Sequence, residues 1–187
     1  MEHQARLSMT LTVGGIFSGI GGFTLAAESM GWRPIWECEI DPYASAVLAA
    51  RFPGVPNLGN ITAVEWSAVE RPNVLCGGFP CQPFSISGKM KGFEDTRGTL
   101  FFNILEIIKT KNPKIVFLEN VKHLKDHDEK KTLKTLIRHL EELGYKTEWQ
   151  IFNAKDFGLA QNRERLIIIG NKMIIIQNVK NIDGTIA

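Results

Sequence analysis

Short runs rich in Val, Ile and Phe alternate along this chain with segments whose apolar residues recur at helical spacing. Leu11–Ser18 reads as a strand. Gly22–Gly31 follows with helix formers and closes on Gly31, a glycine at the position where helices turn out. Arg33–Ile40 reads as a second strand. Asp41–Phe52 has the strongest helix start in the chain, with Asp41 as N-cap and Pro42 at the first helical position. Asn60–Val64 predicts a short third strand and Pro72–Gly78 a fourth. Gly98–Lys111 predicts a helix. Pro113–Asn120 is a fifth strand, so continuously apolar that both of its faces should be covered, as in a parallel sheet. Asp128–Gly144 is an amphipathic helix with Leu133, Leu136, Ile137, Leu140 and Leu143 on one face. Tyr145–Asn153 and Arg165–Gly170 predict two last strands, and residues 171–187 match no clear element. Alternation of this kind predicts an α/β fold with a doubly wound, mostly parallel sheet. Residues 1–171 form one domain on this reading, and 172–187 a tail.

Composition narrows the picture. At 187 residues, 44% hydrophobic and 22% charged, the chain has the profile of a globular domain with a full core. A net charge of +2 leaves nucleic-acid binding to local patches. No apolar run approaches a membrane span, and the polar start MEHQARLSMT lacks the apolar middle of an export signal. The expectation is a cytoplasmic protein in a reducing compartment. Three cysteines, Cys38, Cys76 and Cys81, are consistent with that setting. The spacing of Cys76 and Cys81 makes a poor zinc half-site and no paired His motif completes one, so no metal is expected. Cys38 and Cys76 lie inside apolar segments and read as core thiols.

Four motifs carry candidate chemistry, and each falls where a strand meets a loop. In FSGIGGF, Gly19, Gly21 and Gly22 sit at a strand-to-helix junction, where glycine lets backbone approach a ligand. Glu39 ends the second strand about 20 residues later, a spacing suited to the ribose of a nucleoside cofactor. The glycine spacing is not the dinucleotide pattern, and a plain packing turn with a solvated Glu39 is the alternative. In GGFPCQPFS, Pro80 and Pro83 stiffen the loop around Cys81. A thiol there is placed for nucleophilic attack, whereas a merely buried cysteine belongs in the strand, as Cys76 does. In LENVKHL, Glu119 and Asn120 end the fifth strand, where a carboxyl suits general acid chemistry or a cap. In QNRERL, Arg163 and Arg165 flank Glu164, either to bind substrate oxygens or as a surface charge cluster.

Together with GFEDTRGTLFF, these blocks resemble the DNA cytosine-5 methyltransferases, in order and spacing, over residues 11 to 171. The resemblance implies a Rossmann-like methyltransferase fold with S-adenosylmethionine as cofactor and double-stranded DNA as substrate. It implies that Cys81 adds to C6 of a flipped cytosine, that Glu119 engages N3 and the exocyclic amine, and that Arg165, with Arg163 beside it, holds the base. Phe17, Ser18, Gly19, Gly21, Gly22, Glu39, Ile40, Asn60, Ile61 and Pro80 would line the cofactor. Gln82, Ser85, Ser87 and Asn120 would face the substrate, and Gly88, Gly92 and Gly98 would lie in a loop that closes over the base. Two positions depart from the commonest pattern. Gly15 stands where an acid often precedes the glycine motif, and Asn60 where an aspartate usually meets the adenine amine. Nothing in the chain corresponds to the family's target-recognition region. The expectation is therefore a catalytic portion that needs a second polypeptide, with a truncated remnant or a tRNA-modifying relative as the alternatives.

Overall fold

The structure is a computed structural model that describes residues 10–80, 99–127 and 129–172. Six strands form one sheet: β1 (Thr12–Ile16), β2 (Arg33–Trp36), β3 (Val74–Gly78), β4 (Ile115–Val121), β5 (Lys146–Asn153) and β6 (Glu164–Asn171). Their order is β2-β1-β3-β4-β6-β5. The pairs β1–β2, β1–β3 and β3–β4 are parallel, while β6 runs antiparallel to both β4 and β5. The strand order reverses direction between β1 and β3, so the crevice at their carboxyl ends is the place where such a sheet binds ligands.

Helices cover the two faces as the apolar patterns predict. α1 (Gly22–Ser29) lies over β1 and β3, where Ala27 packs with Val13, Val74 and Cys76. Phe23 of α1 meets Phe117 of β4 edge to face, with centroids 5.5 Å apart. On the other face α3 (Thr99–Lys111) and α4 (Lys131–Glu142) pack Phe101, Ile104, Ile107, Ile108, Leu133, Leu136 and Leu140 against Leu75, Val116, Leu118, Leu166 and Ile168. Fully burying each such side chain is worth about 1.5–3 kcal/mol, so this layer supplies most of the stability. α2 (Pro42–Arg51) starts as its sequence dictates: Ala44 N–H donates to the Asp41 carboxylate at 2.8 Å. Gly31 takes φ +72° just past α1, as a terminating glycine should.

Two expectations are corrected. Asn60–Val64 is a turn and not a third strand. The Asn60 side-chain oxygen accepts from the Thr62 N–H at 3.0 Å and from its hydroxyl at 2.9 Å, and this local bonding competes with a ladder. The second strand ends at Trp36 rather than running to Ile40. Beyond it, Glu37 makes only an isolated parallel bridge to Asn57, and the backbone of Cys38 turns to meet Ser18.

Candidate active site

Glycines allow the sheet's carboxyl edge to be built this tightly. A side chain at Gly77 would place its Cβ 2.0 Å from the Ile16 carbonyl oxygen, so β1 and β3 could not pair as they do. A Cβ at Gly78 would lie 2.6 Å from Glu119 Oε2. The two glycines that lead into the cysteine loop thus serve different ends. One lets the strands approach, and the other makes room for a carboxylate.

β1 runs into a turn in left-handed conformations, with φ +48° at Phe17, +55° at Gly19 and +86° at Gly21. A left-handed phenylalanine is strained, and such strain concentrates at ligand-binding turns. The end of β2 holds this turn. Ser18 N–H donates to the Cys38 carbonyl at 3.3 Å, and Gly19 N–H to Glu39 Oε2 at 2.7 Å. Glu39 Oε1 accepts from Asp41 N–H at 2.8 Å. Each carboxylate oxygen keeps further lone-pair capacity, which is what a vicinal diol requires. Next to it the Ile40 side chain is 68% exposed, an apolar surface that the described residues leave mostly uncovered. α1 begins at Gly21 with no side-chain cap and no acid in its first turn, leaving its amide end open to an anion. Gly22 is exposed at that end and Gly21 is buried against Phe52 and Leu48. An acceptor pair, an apolar ledge and an open helix start fit an adenosyl amino acid.

Other residues assigned to the cofactor are placed differently. Ile61 is a buried core residue whose carbonyl accepts from Trp66 Nε1. Both acceptor directions of the Asn60 side-chain oxygen are engaged by Thr62, so an adenine amine would have to displace one of them. Pro80 is exposed at the root of the cysteine loop. Cys81, Gln82, Ser85, Ser87 and the glycines of the closing loop lie outside the described residues.

β4 and β6 deliver the other half of the site. Because β6 is antiparallel, its first residues reach the carboxyl end of β4, and Arg165 pairs with Val121 in the ladder. Arg165 Nε meets Glu119 Oε1 at 2.5 Å, both side chains about three-quarters covered. Arg165 Nη1 donates to the Glu164 carbonyl at 2.8 Å, and Glu164 itself pairs with Lys122 at 2.8 Å. Arg163 is exposed, and its backbone N–H is held by Asn153 Oδ1. Of the two arginines, only Arg165 is brought to Glu119. Asn120 is buried, and its amide donates to the Phe79 carbonyl at 2.9 Å. It therefore ties β4 to the loop root two residues before Cys81, a bracing position that the sequence alone did not reveal.

The family model for C-5 cytosine-specific DNA methylase matches residues 11–185. The chain belongs to that family. Among curated relatives it is 49% identical over 155 residues to type II methyltransferase M.NgoBI of Neisseria gonorrhoeae, covering 83% of this chain and 49% of the relative. It is 49% identical over 173 residues to type II methyltransferase M.HpaII of Haemophilus parainfluenzae, covering 90% and 48%. The chain thus spans about half the length of the curated relatives it matches. A DNMT2 variant from Spodoptera frugiperda superposes with a TM-score of 0.70 at 23% identity, over 93% of this chain and 54% of that one, a likeness of fold. Among the described residues of this C-5 methylase chain no helix is long and apolar enough to cross a membrane.

Sequence reasoning missed Glu37. It is 2% exposed just past the end of β2, with Oε1 bonded to the Thr24 hydroxyl of α1 and Oε2 buried without a hydrogen-bond partner. Burial pushes its carboxyl up to about 7, and the Ser18 hydroxyl offsets a smaller part. The one available signal was the alternation in WECEI, which puts Glu37 and Glu39 in phase.

Proposed function

We propose that this chain is the cofactor-binding and catalytic portion of a DNA (cytosine-5-)-methyltransferase acting on double-stranded DNA. The observation that carries the reading is the Glu119–Arg165 pair at the sheet edge, beside the root of the cysteine loop. S-adenosylmethionine, when bound, supplies an electrophilic methyl group. Glu39 would hold its ribose, Ile40 and Phe17 its adenine, and the open start of α1 its carboxylate.

The chain's own residues make the cytosine reactive. C5 of cytosine is a poor nucleophile. Addition of the Cys81 thiolate to C6 forms a C–S bond and moves the ring's electron pair toward C5. Glu119 would engage N3 and the exocyclic amine, drawing the negative charge off the ring, while Arg165 orients Glu119 and reaches the base oxygen. After C5 is methylated, loss of its proton returns the electron pair, breaks the C–S bond and frees Cys81. Addition at C6 and methylation at C5 both need approach to the faces of the ring, which stacking covers in a duplex, so the base must be flipped out, at a cost of a few kcal/mol.

Target recognition would come from protein beyond this half, in a second polypeptide or a continuation. The sheet supports this reading. Strand pairing places Val121, Phe152 and Ile169 on one face of β4, β6 and β5, exposed by 41%, 36% and 38%. No described helix covers that area, since α1 lies over β1 and β3 and reaches β4 only at Ile115 and Phe117.

The test is covalent trapping on 5-fluorocytosine DNA with S-adenosylmethionine and the recognition half supplied. Wild-type chain should form the adduct and Cys81→Ser should not. Trapping that survives the substitution would remove Cys81 from the mechanism. Glu119→Gln should slow methyl transfer about 100-fold or more with cofactor binding nearly intact.

A further inference from the structure

We propose that Glu37 is a positioning residue for the cofactor turn, its carboxyl entering from just past β2 to fill the space beside Gly15 and Ser18 and brace the turn through Thr24. This rests on the reading that the turn holds S-adenosylmethionine.

The geometry is specific. A Cβ built on Gly15 would lie 2.0 Å from Glu37 Oε2 and 2.8 Å from Ser18 Oγ. A side chain at position 15 and the Glu37 carboxyl therefore compete for one volume, and glycine on β1 is the condition for an acid just past β2. The carboxyl bonds Thr24 in the first turn of α1, just past the left-handed stretch, and its other oxygen converges with the Ser18 hydroxyl on the space beside Gly15. Three successive residues of one strand end, Glu37, Cys38 and Glu39, thus each hold the turn, the first from beneath and the third from the ligand side. Packing does not call for a carboxyl there. A buried acid with one oxygen unsatisfied costs stability, and an apolar side chain would avoid that cost. Holding a strained turn in one conformation before the ligand arrives is a role that repays it.

The experiment is calorimetric titration of the full chain with S-adenosylhomocysteine, with circular-dichroism melts confirming that each variant is folded at the temperature used. Glu37→Ala should bind about tenfold more weakly or worse, the size of one lost buried hydrogen-bond partner. Glu37→Gln, which keeps a donor and an acceptor, should stay within about threefold of wild type. Gly15→Ala should resemble Glu37→Ala, because its methyl displaces the carboxyl. Gly15→Asp combined with Glu37→Ala, which delivers a carboxyl from the opposite strand, should recover most of the loss. If Glu37→Ala melts lower yet binds within about twofold of wild type, Glu37 only packs and the proposal is overturned. A Glu37→Gln protein as weak as Glu37→Ala overturns it too. Should Glu37→Ala fail to fold, the Gln and double variants decide. Wild-type protein that binds no cofactor would instead sink the reading of the turn, and this inference with it.

Discussion

Glu37 couples stability to pH in a direction opposite to that of a salt-bridged acid. Its carboxyl goes from 4.5 to about 7 on folding because burial penalises the charged form. The folded chain therefore holds the proton more tightly than the unfolded one. That contribution is complete below pH 4.5 and is lost as pH rises toward 7. The loss amounts to about 3 kcal/mol. Glu37→Gln cannot ionise, so its stability relative to wild type should climb across this window and level off above it. Urea unfolding of both proteins at pH 5 and pH 8 checks the prediction. A difference that does not change with pH would mean that the carboxyl is already ionised in the folded protein. Cys38 and Cys76 answer a related question. Burial pushes the Cys38 thiol up to about 12 and the Cys76 thiol higher still, with Glu37 adding to both. Neither is a nucleophile near neutral pH, as the apolar setting of both residues in the sequence predicts.

At the scale of elements, neighbouring glycines of β3 separate folding from chemistry. Gly77→Ala drives a methyl into the backbone carbonyl of Ile16, which cannot rotate away. The β1–β3 pairing must open, and the loss should exceed about 2 kcal/mol in unfolding free energy. Gly78→Ala meets only the Glu119 carboxylate, the end of a side chain that can move. It should cost less stability but break the Glu119–Arg165 contact, so methyl transfer should fall about tenfold or more while cofactor affinity holds. Melting curves and single-turnover rates on the two variants distinguish these outcomes. Equal losses of stability would show that β3 is not clamped against β1 as described. The corrected third strand belongs at this scale as well. Asn60–Val64 has strand-forming residues, but Asn60 folds back on Thr62, so local bonding overrides propensity.

Among the described residues the sheet is covered unequally. α3 and α4 close one face, while on the other α1 reaches Phe117 of β4 and no described helix lies over the end of β4, β6 and β5. Val121, Phe152 and Ile169 leave apolar surface exposed there, with Arg165 between the first two, and such surface drives association unless another chain or segment covers it. The chain alone should self-associate, and Phe152→Ser with Ile169→Ser should shift it toward monomer with little change in melting temperature. Light scattering across a concentration series reads the result. A wild-type chain that stays monomeric at high concentration would show that this face needs no cover.

The amino-acid sequence by itself determined the layering of this protein. Hydrophobic period and caps placed α2 at Asp41 and ended α1 before Gly31, because those signals are local and act through neighbouring residues. The continuous apolar run of β4 predicts cover on both faces, but there its alternate residues are only half-buried and Val121 is exposed, since α1 packs no further along β4 than Phe117. Motif order also brought Glu39, Cys81, Glu119 and Arg165 to attention as a set. Only the tertiary structure decided which of them meet. Arg165 and not Arg163 reaches Glu119, since the antiparallel register of β6 sets Arg165 opposite Val121. Asn120 turned inward to brace the loop root, and Ile61 went into the core. Glu37 was an unremarked acid until Gly15, Ser18 and Thr24, distant in the chain, closed around it. Burial, and the proton affinity that follows from it, is a property of the surroundings that folding assembles, and no single stretch of sequence contains them.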